Sequence, residues 1–229
     1  MDCVMTTDWG ATGDMLQGIG SILGAGAVGL AAVIGGNTFK SWRQQKLSER
    51  RIEQAERILT ATYKVRRGLS QVRSPAMWAH EFDAAEQTLK ERGEWEKIVG
   101  GEVERKKHAT TQAYYNRLNR TIDDRIALEE CQPMARALFG EDLEKAIEKL
   151  NHQFHTVRVY VDANHNDRTS ADSEFRRTID STIWEGYPSK EENQVDQIIA
   201  AQVKLIEDMC VPILRLERAK EPDASRISN

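Results

Sequence analysis

The stretch LEKAIEKLNHQFHTVRVYV, residues 143–161, carries the clearest structural pattern in the chain. Its apolar residues recur at alternating spacings of four and three: Leu143, Ile147, Leu150, Phe154, Val157 and Val161. Because an α-helix turns once every 3.6 residues, this spacing places the apolar side chains on one stripe. The stretch therefore predicts an amphipathic helix packed against other elements.

Patterns of the same kind lie on the N-terminal side of this stretch. A preceding stripe comprises Ala55, Ile58, Thr62, Val65, Leu69 and Val72. Ser74 and Pro75 have the residue types of a helix start and predict a second helix over residues 76–92. A third helical pattern, kinked or interrupted near the glycines at 100–101, contains Tyr115, Leu118, Ile122 and Ile126 and ends before Pro133.

On the C-terminal side, Ser170 is expected to cap a helix that extends to about Trp184. Ser189 and Glu192 have capping-box spacing and predict the start of the last long helix, which carries Val195, Ile199, Ile206, Met209 and Ile213. No alternating strand pattern of useful length occurs. We therefore expect an all-α fold: an antiparallel bundle of five or six helices over residues 40–219, followed by a disordered tail over 220–229.

A different pattern precedes the bundle, since residues 15–39 contain no charged side chain. As a helix this run would extend about 37 Å, enough to cross a hydrocarbon core of about 30 Å. We expect a single transmembrane helix there, with Asn37 and Thr38 capping the helix that follows. A cleaved signal peptide would require a basic N-terminal region, and a buried hairpin in a helical core is the other alternative.

The flanks of this run predict its orientation in the membrane. Asp2, Asp8 and Asp14 precede the run without any Lys or Arg, whereas Lys40 and Arg43 begin a basic segment after it. By the positive-inside bias, residues 1–14 form a short exoplasmic tail and residues 40–219 are cytoplasmic, in a single-pass protein of the inner (plasma) membrane. Trp9 and Trp42 flank the run at the positions of interfacial anchors, which implies contact with membrane lipid.

Small residues recur every fourth position within the run. They form stacked faces that let two helix backbones approach closely. The residues that define these faces include Gly20, Gly24, Ala25, Gly29 and Gly35. With one span per chain, the simplest partner is a second copy, so we expect a homo-oligomer.

Polar residues on the 143–161 helix and its continuation form the main candidate site. His155, Arg158, Asp162 and His165 follow one another at spacings of three, four and three, so they share one face of the helix. A solvated or bundle-internal face with an Arg158–Asp162 ion pair is the simpler interpretation of this pattern. Glu148, His152 and His155 also share a face, but no matching ligand set occurs elsewhere, so we expect neither a metal nor a cofactor.

Arg158 followed after six residues by His165 resembles the Arg-x(4–6)-His pattern of HEPN-type ribonucleases. That resemblance implies a histidine acting as acid or base at a ribose 2′-hydroxyl and an arginine holding the phosphate. Val159 departs from the pattern, because a polar residue usually follows the arginine. The whole layout also resembles small membrane accessory proteins of bacterial CRISPR loci and, more broadly, membrane-anchored helical proteins of antiviral defence.

The resemblance implies a pore-like membrane assembly whose HEPN-like cytosolic domain has lost catalysis and acts as a sensor or gate. We therefore expect a non-enzymatic effector, with a protein partner or RNA at the cytosolic domain. A membrane-tethered ribonuclease and a passive membrane-anchored scaffold are the alternatives. The net charge of −4 over 229 residues, with both signs interspersed, gives no general electrostatic case for nucleic-acid binding.

The small-residue faces generate a direct prediction. Replacing Gly24 and Gly29 together with Leu should weaken self-association in membranes, because the larger side chains hold the two backbones apart. Chemical cross-linking of the wild type and the variant measures this effect, with Ile22→Leu as a control that conserves volume in the same run. Unchanged cross-linked oligomers would place association outside residues 15–39.

Overall fold

The computed structural model describes the backbone of residues 9–166 and 173–215, and the side chains of residues 34–166 and 173–215. In these ranges the chain is all helical and contains no strand, which confirms the expected all-α class. The expected tail at 220–229 and the Ser170 cap lie outside the described residues. A 3₁₀-helix occupies Trp95–Lys97, and the α-helices are α1 (Trp9–Val72), α2 (Ala79–Glu91), α3 (Gly101–Arg120), α4 (Ile122–Glu129), α5 (Gln132–Phe139), α6 (Glu141–Asn166), α7 (Ser173–Ile183) and α8 (Gln194–Leu214).

The chain divides into two compact units, residues 1–50 and residues 51–229. In the first unit every described side chain is exposed. These include the apolar side chains of Ile34, Phe39 and Trp42, and the rings of the last two lie 5.9 Å apart between centroids. Lys40, Arg43 and Gly35 also lie in this exposed stretch. The predicted packing residues Gly20, Gly24, Ala25 and Gly29, and the side chain of Trp9, lie outside the described side chains.

The structure corrects two boundaries in this part of the chain. α1 begins at Trp9 rather than Met15, and it continues through Asn37 and Thr38 instead of restarting there. Thr38 does not cap a new helix, because its hydroxyl donates to the Ile34 carbonyl at 2.8 Å, a bond made within a continuing helix. Among the described residues, none of the helices combines the length and the apolar character needed to cross a membrane.

The core of the second unit contains the two apolar stripes that the sequence predicts. Every member of the stripe from Ala55 to Val72 is fully buried, and no member of the α6 stripe is more than 1% exposed. α6 packs against α3, α4, α5, α7 and α8, so it is the central helix of the bundle. The periodicity of residues 143–161 thus predicted a packed amphipathic helix correctly, and the structure shows that this helix is the central element.

Gly68 marks a close approach between α1 and its neighbours. A Cβ atom placed on Gly68 would lie 3.0 Å from the Thr121 methyl carbon and 3.6 Å from the Phe154 ring. The contact with Thr121 is too short for a Cβ atom, so the Thr121 side chain would have to move by a few tenths of an ångström. A residue without a side chain at this position therefore lets α1 pack directly on the core.

Arg73, the residue after α1, is the largest fully buried side chain of the described residues, at 1% exposed. Its guanidinium donates to the carboxylate of Asp196, to Asn193 Oδ1 at 3.0 Å and to the carbonyl of Thr182 at 2.9 Å. It also donates to the carbonyls of Ser181 and Trp184. The end of α1 is therefore tied to the end of α7 and the start of α8.

A second buried arginine, Arg117 of α3, explains why α2 does not begin at Ser74. Arg117 donates to the carbonyls of Ser74 and Ala76 at 2.7 and 2.6 Å, and it forms an ion pair with Glu81 at 2.7 Å. These carbonyls are held in a connection, so α2 starts at Ala79. The hydrogen bond from Arg117 is the main cause that lowers the pKa of Glu81 to about 2.

The expected helix count and one cap also need correction. Counting the end of α1, the described ranges contain eight α-helices rather than the expected five or six. The predicted third helix divides at Thr121, whose hydroxyl donates to the Leu118 carbonyl, and residues 132–139 form a helix of their own. Ser189 does not begin α8, because Asn193 caps it by accepting from the Asp196 N–H.

Because Arg73 joins three helices, its loss should destabilise the chain strongly. Arg73→Met leaves Asp196 and several buried carbonyls without their partner, and we expect a loss of about 3–5 kcal/mol in the free energy of unfolding. Urea denaturation of the full chain measures it. Arg57→Met is the matched control, because its ion pair with Glu130 is more than half exposed and should contribute less than about 1 kcal/mol. Equal effects of the two substitutions would contradict the role of Arg73.

Candidate functional site

The polar face of α6 points toward α3 and α4, where it divides into two groups of residues. His155 and Arg158 line a small cavity, whereas Asp162 and His165 contact side chains of α3. The structure thus brings the four predicted residues onto one side of α6 but not into one cleft. The side chains that surround each of these two pairs are different.

The cavity has a volume of about 190 Å³ and lies between α3, α4 and α6. Its apolar floor includes Leu118 and Phe154, while His155 and Arg158 are exposed on α6. Its lining residues are Tyr115, Leu118, Asn119, Ile122, Arg125, Phe154, His155 and Arg158. The cavity therefore combines two guanidinium groups, an imidazole and an amide over an apolar base.

Arg125 of α4 is the residue of this site that the sequence did not reveal. Its guanidinium carbon lies 4.9 Å from the centroid of the Phe154 ring, a distance suited to a cation–π contact. Its Nε atom is buried and has no hydrogen-bond partner. Burial lowers the pKa of Arg125, the positive charge of Arg158 lowers it further, and Glu129 opposes both effects.

Asp162 is held by Tyr115 rather than by Arg158. The Tyr115 hydroxyl donates a hydrogen bond to the Asp162 carboxylate, and the Arg158–Asp162 ion pair that the helix spacing allows is not formed. Burial, together with the bond to Asp162, raises the pKa of Tyr115 to about 12, although the charge of Arg158 and its hydrogen bond to Tyr115 oppose the shift. Asp162 therefore orients Tyr115 at the edge of the cavity.

His165 lies beyond the cavity, near the end of α6. Its Nδ1 atom is 3.0 Å from the Thr111 hydroxyl, and its ring stands edge-on to the His108 ring at 4.5 Å between centroids. Burial lowers the pKa of His165, and the positive charges of His108 and Lys107 add to this effect against Glu104 and Asp162. His165 is not among the residues that line the cavity with Arg158.

A larger groove of about 720 Å³ lies elsewhere on the second unit. Arg66, Arg67 and Lys190 contribute positive charge to its lining, and Glu185 and Asp196 contribute negative charge. Ser70 donates to Glu185, and Asp196 is the partner of Arg73. The charges of this groove are therefore mixed, and its carboxylates already have donors.

Metal ligation finds no support in the described ranges, where no group of three or more His, Cys, Asp or Glu side chains could hold a metal ion. The rings of His152 and His155 lie 5.4 Å apart between centroids on the surface of α6. Comparison of the chain with protein-family models, with curated proteins and with solved structures finds no match. Fold and site together define the chain as an all-helical bundle protein with a small cationic cavity on its central helix.

The environment of His165 predicts a pH dependence of stability. Because its pKa in the folded chain lies below the ordinary value of 6.5, the unfolded chain binds the proton more readily. Stability is then fully present above pH 6.5 and falls as the pH drops below that value. The groups that face His165 are His108, Lys107, Glu104, Asp162 and Thr111.

Denaturation of the full chain between pH 5 and 8 tests this expectation. His165→Gln should reduce the loss of stability on acidification, because it removes a group that resists protonation in the fold. His152→Gln, an exposed histidine on the same helix, should leave the pH profile as it is in the wild type. Identical profiles for the wild type and His165→Gln would contradict the expectation.

Proposed function

We propose that this chain is a non-enzymatic membrane effector of bacterial antiviral defence. In this proposal residues 15–39 anchor it in the inner membrane and pack with other copies into a pore-like assembly. The helical domain acts on the cytoplasmic side as the sensor or gate. A protein partner or RNA at that domain remains part of the proposal.

The membrane anchor is supported by the uncharged run and its flanks. Residues 15–39 lack charge, acidic residues precede them and basic residues follow. Ile34, Phe39 and Trp42 expose large apolar side chains, which have no described covering surface in the chain. Lipid contact would remove this apolar area from water.

The separation of Arg158 from His165 is the single observation that favours a sensor over a ribonuclease. General acid–base catalysis needs the histidine within hydrogen-bond reach of the substrate that the arginine holds. Here Arg158 lines the cavity, while His165 contacts Thr111 and His108 outside it. A ribonuclease would need Arg158 of one copy and His165 of another to meet in one cleft.

Reconstitution of the purified full chain in dye-loaded lipid vesicles tests the proposal. We expect dye release by the wild type, an altered rate of release by Arg158→Ala, and intact RNA in both samples. The Gly24→Leu/Gly29→Leu variant should release less dye, because weaker packing of the span disfavours the pore. Alkaline carbonate washing, which should leave each variant in the membrane pellet, is the control for insertion.

Two results would contradict the proposal in different ways. RNA cleavage that is lost in His165→Ala would establish the ribonuclease alternative, because acid–base help is commonly worth 10²–10⁴-fold. Membrane insertion without dye release in any variant would favour the passive scaffold. Release of the chain into the carbonate supernatant would remove the anchor itself.

A further inference from the structure

Arg125 and Arg158 face the same cavity without a counter-charge from the chain. Neither guanidinium forms an ion pair with a carboxylate of the described residues, and the charge of Arg158 disfavours the charged form of Arg125. The two buried arginines of the described residues, Arg73 and Arg117, each form an ion pair with a carboxylate. Two cations that line one cavity disfavour each other's charge, and an anion bound beside them would offset this effect.

We propose that the cavity between α3, α4 and α6 binds a phosphate group, held between Arg125 and Arg158. The group is either free inorganic phosphate or the phosphomonoester end of a small molecule. This inference deepens the proposed function, because it names what the sensor binds. Binding itself can be measured whether or not the chain permeabilises membranes.

The size of the cavity favours a small anion. At about 190 Å³ it is smaller than the roughly 300–1,000 Å³ of pockets that enclose drug-sized ligands. One tetrahedral oxyanion fits this space, while the remainder of a larger ligand would lie outside it. The exposed positions of Asn119, His155 and Arg158 at the rim leave a route for such a remainder.

The donors of the cavity suit phosphate in number and geometry. A guanidinium presents a planar fork of N–H donors that matches two oxygens of a phosphate. Arg125 is held in place by the Phe154 ring, and its buried Nε donor lacks a partner. Asn119 and His155 lie in the same lining, and they offer further donors to the remaining oxygens.

The carboxylates nearest to the cavity do not take the place of the ligand. Asp162 accepts the hydrogen bond of the Tyr115 hydroxyl. Glu129 acts on Arg125 only as a charge that raises its pKa, without an ion pair. The chain therefore leaves both guanidinium groups without a carboxylate ion pair, although Arg158 hydrogen-bonds to the Tyr115 hydroxyl.

Titration of the purified full chain in detergent with phosphate, measured by calorimetry or phosphorus NMR, tests the inference. Arg158→Gln should weaken phosphate binding by about tenfold or more, because each charge-assisted hydrogen bond of this kind accounts for at least that factor. Arg125→Met should weaken binding to a similar extent. Because Arg158 is exposed, Arg158→Gln should disturb folding less than Arg125→Met. Arg120→Gln and Arg66→Gln are matched controls. The first removes an exposed charge that follows Asn119 in the sequence, and the second removes one from the larger groove.

Glycerol phosphate in the same titration distinguishes the two sources of the group. Tighter binding of glycerol phosphate than of phosphate would assign the site to a phosphomonoester, and the reverse would assign it to the free anion; both results support the inference. Binding lost in Arg66→Gln but kept in Arg158→Gln would overturn it, as would equal binding of phosphate and chloride, or binding of RNA without binding of phosphate. Phosphate binding by a chain that neither inserts nor releases dye would reject the proposed function alone.

Discussion

The buried guanidinium of Arg73 is the constraint on which the arrangement of the second unit depends. Arg73 follows the end of α1, at a point where three helices meet. Its guanidinium donates to the Thr182 carbonyl near the end of α7 and to the side chains of Asn193 and Asp196 at the start of α8. The Asn193 amide completes the junction by donating to the carbonyls of Ser181, Trp184 and Tyr187. Helix ends leave backbone groups unsatisfied. Here Arg73 satisfies carbonyls at the end of α7, and it also donates to the Asn193 oxygen that accepts the Asp196 N–H at the start of α8.

Arg117 performs the corresponding role for the connection between α1 and α2, and it thereby fixes α3. Once α3 is fixed, Tyr115 stands opposite Asp162 and the wall of the cavity is set. Arg73 and Arg117 therefore have a structural role, which distinguishes them from Arg125 and Arg158. The first pair is buried and fully partnered by the chain, whereas the second pair shares a cavity and lacks carboxylate partners.

The sequence predicted the two long apolar stripes, which depend on periodicity, and missed features that depend on tertiary hydrogen bonds. The stripes of α1 and α6 were correct because burial of one helix face dominates the energetics of both helices. The starts at Ser74 and Ser189 were wrong because Arg117 and Asn193 make competing bonds that local propensity does not contain. Arg125 was missed because α4 is short and begins after a break at Thr121 that leaves the apolar spacing undisturbed.

The weak attachment of α4 explains how occupancy of the cavity can affect the rest of the domain. Ile122 and Ile126 are 43% and 48% exposed, so the predicted stripe of α4 does not face the core. α4 contacts the bundle through the buried side chain of Leu128 and through the stacking of Arg125 on Phe154. An anion held by Arg125 and Arg158 would join α4 to α6 through charge, and a ligand that binds only this joined arrangement stabilises it by mass action. Ligand binding would thus add a link between the central helix and α4, in which Leu128 is the one buried side chain.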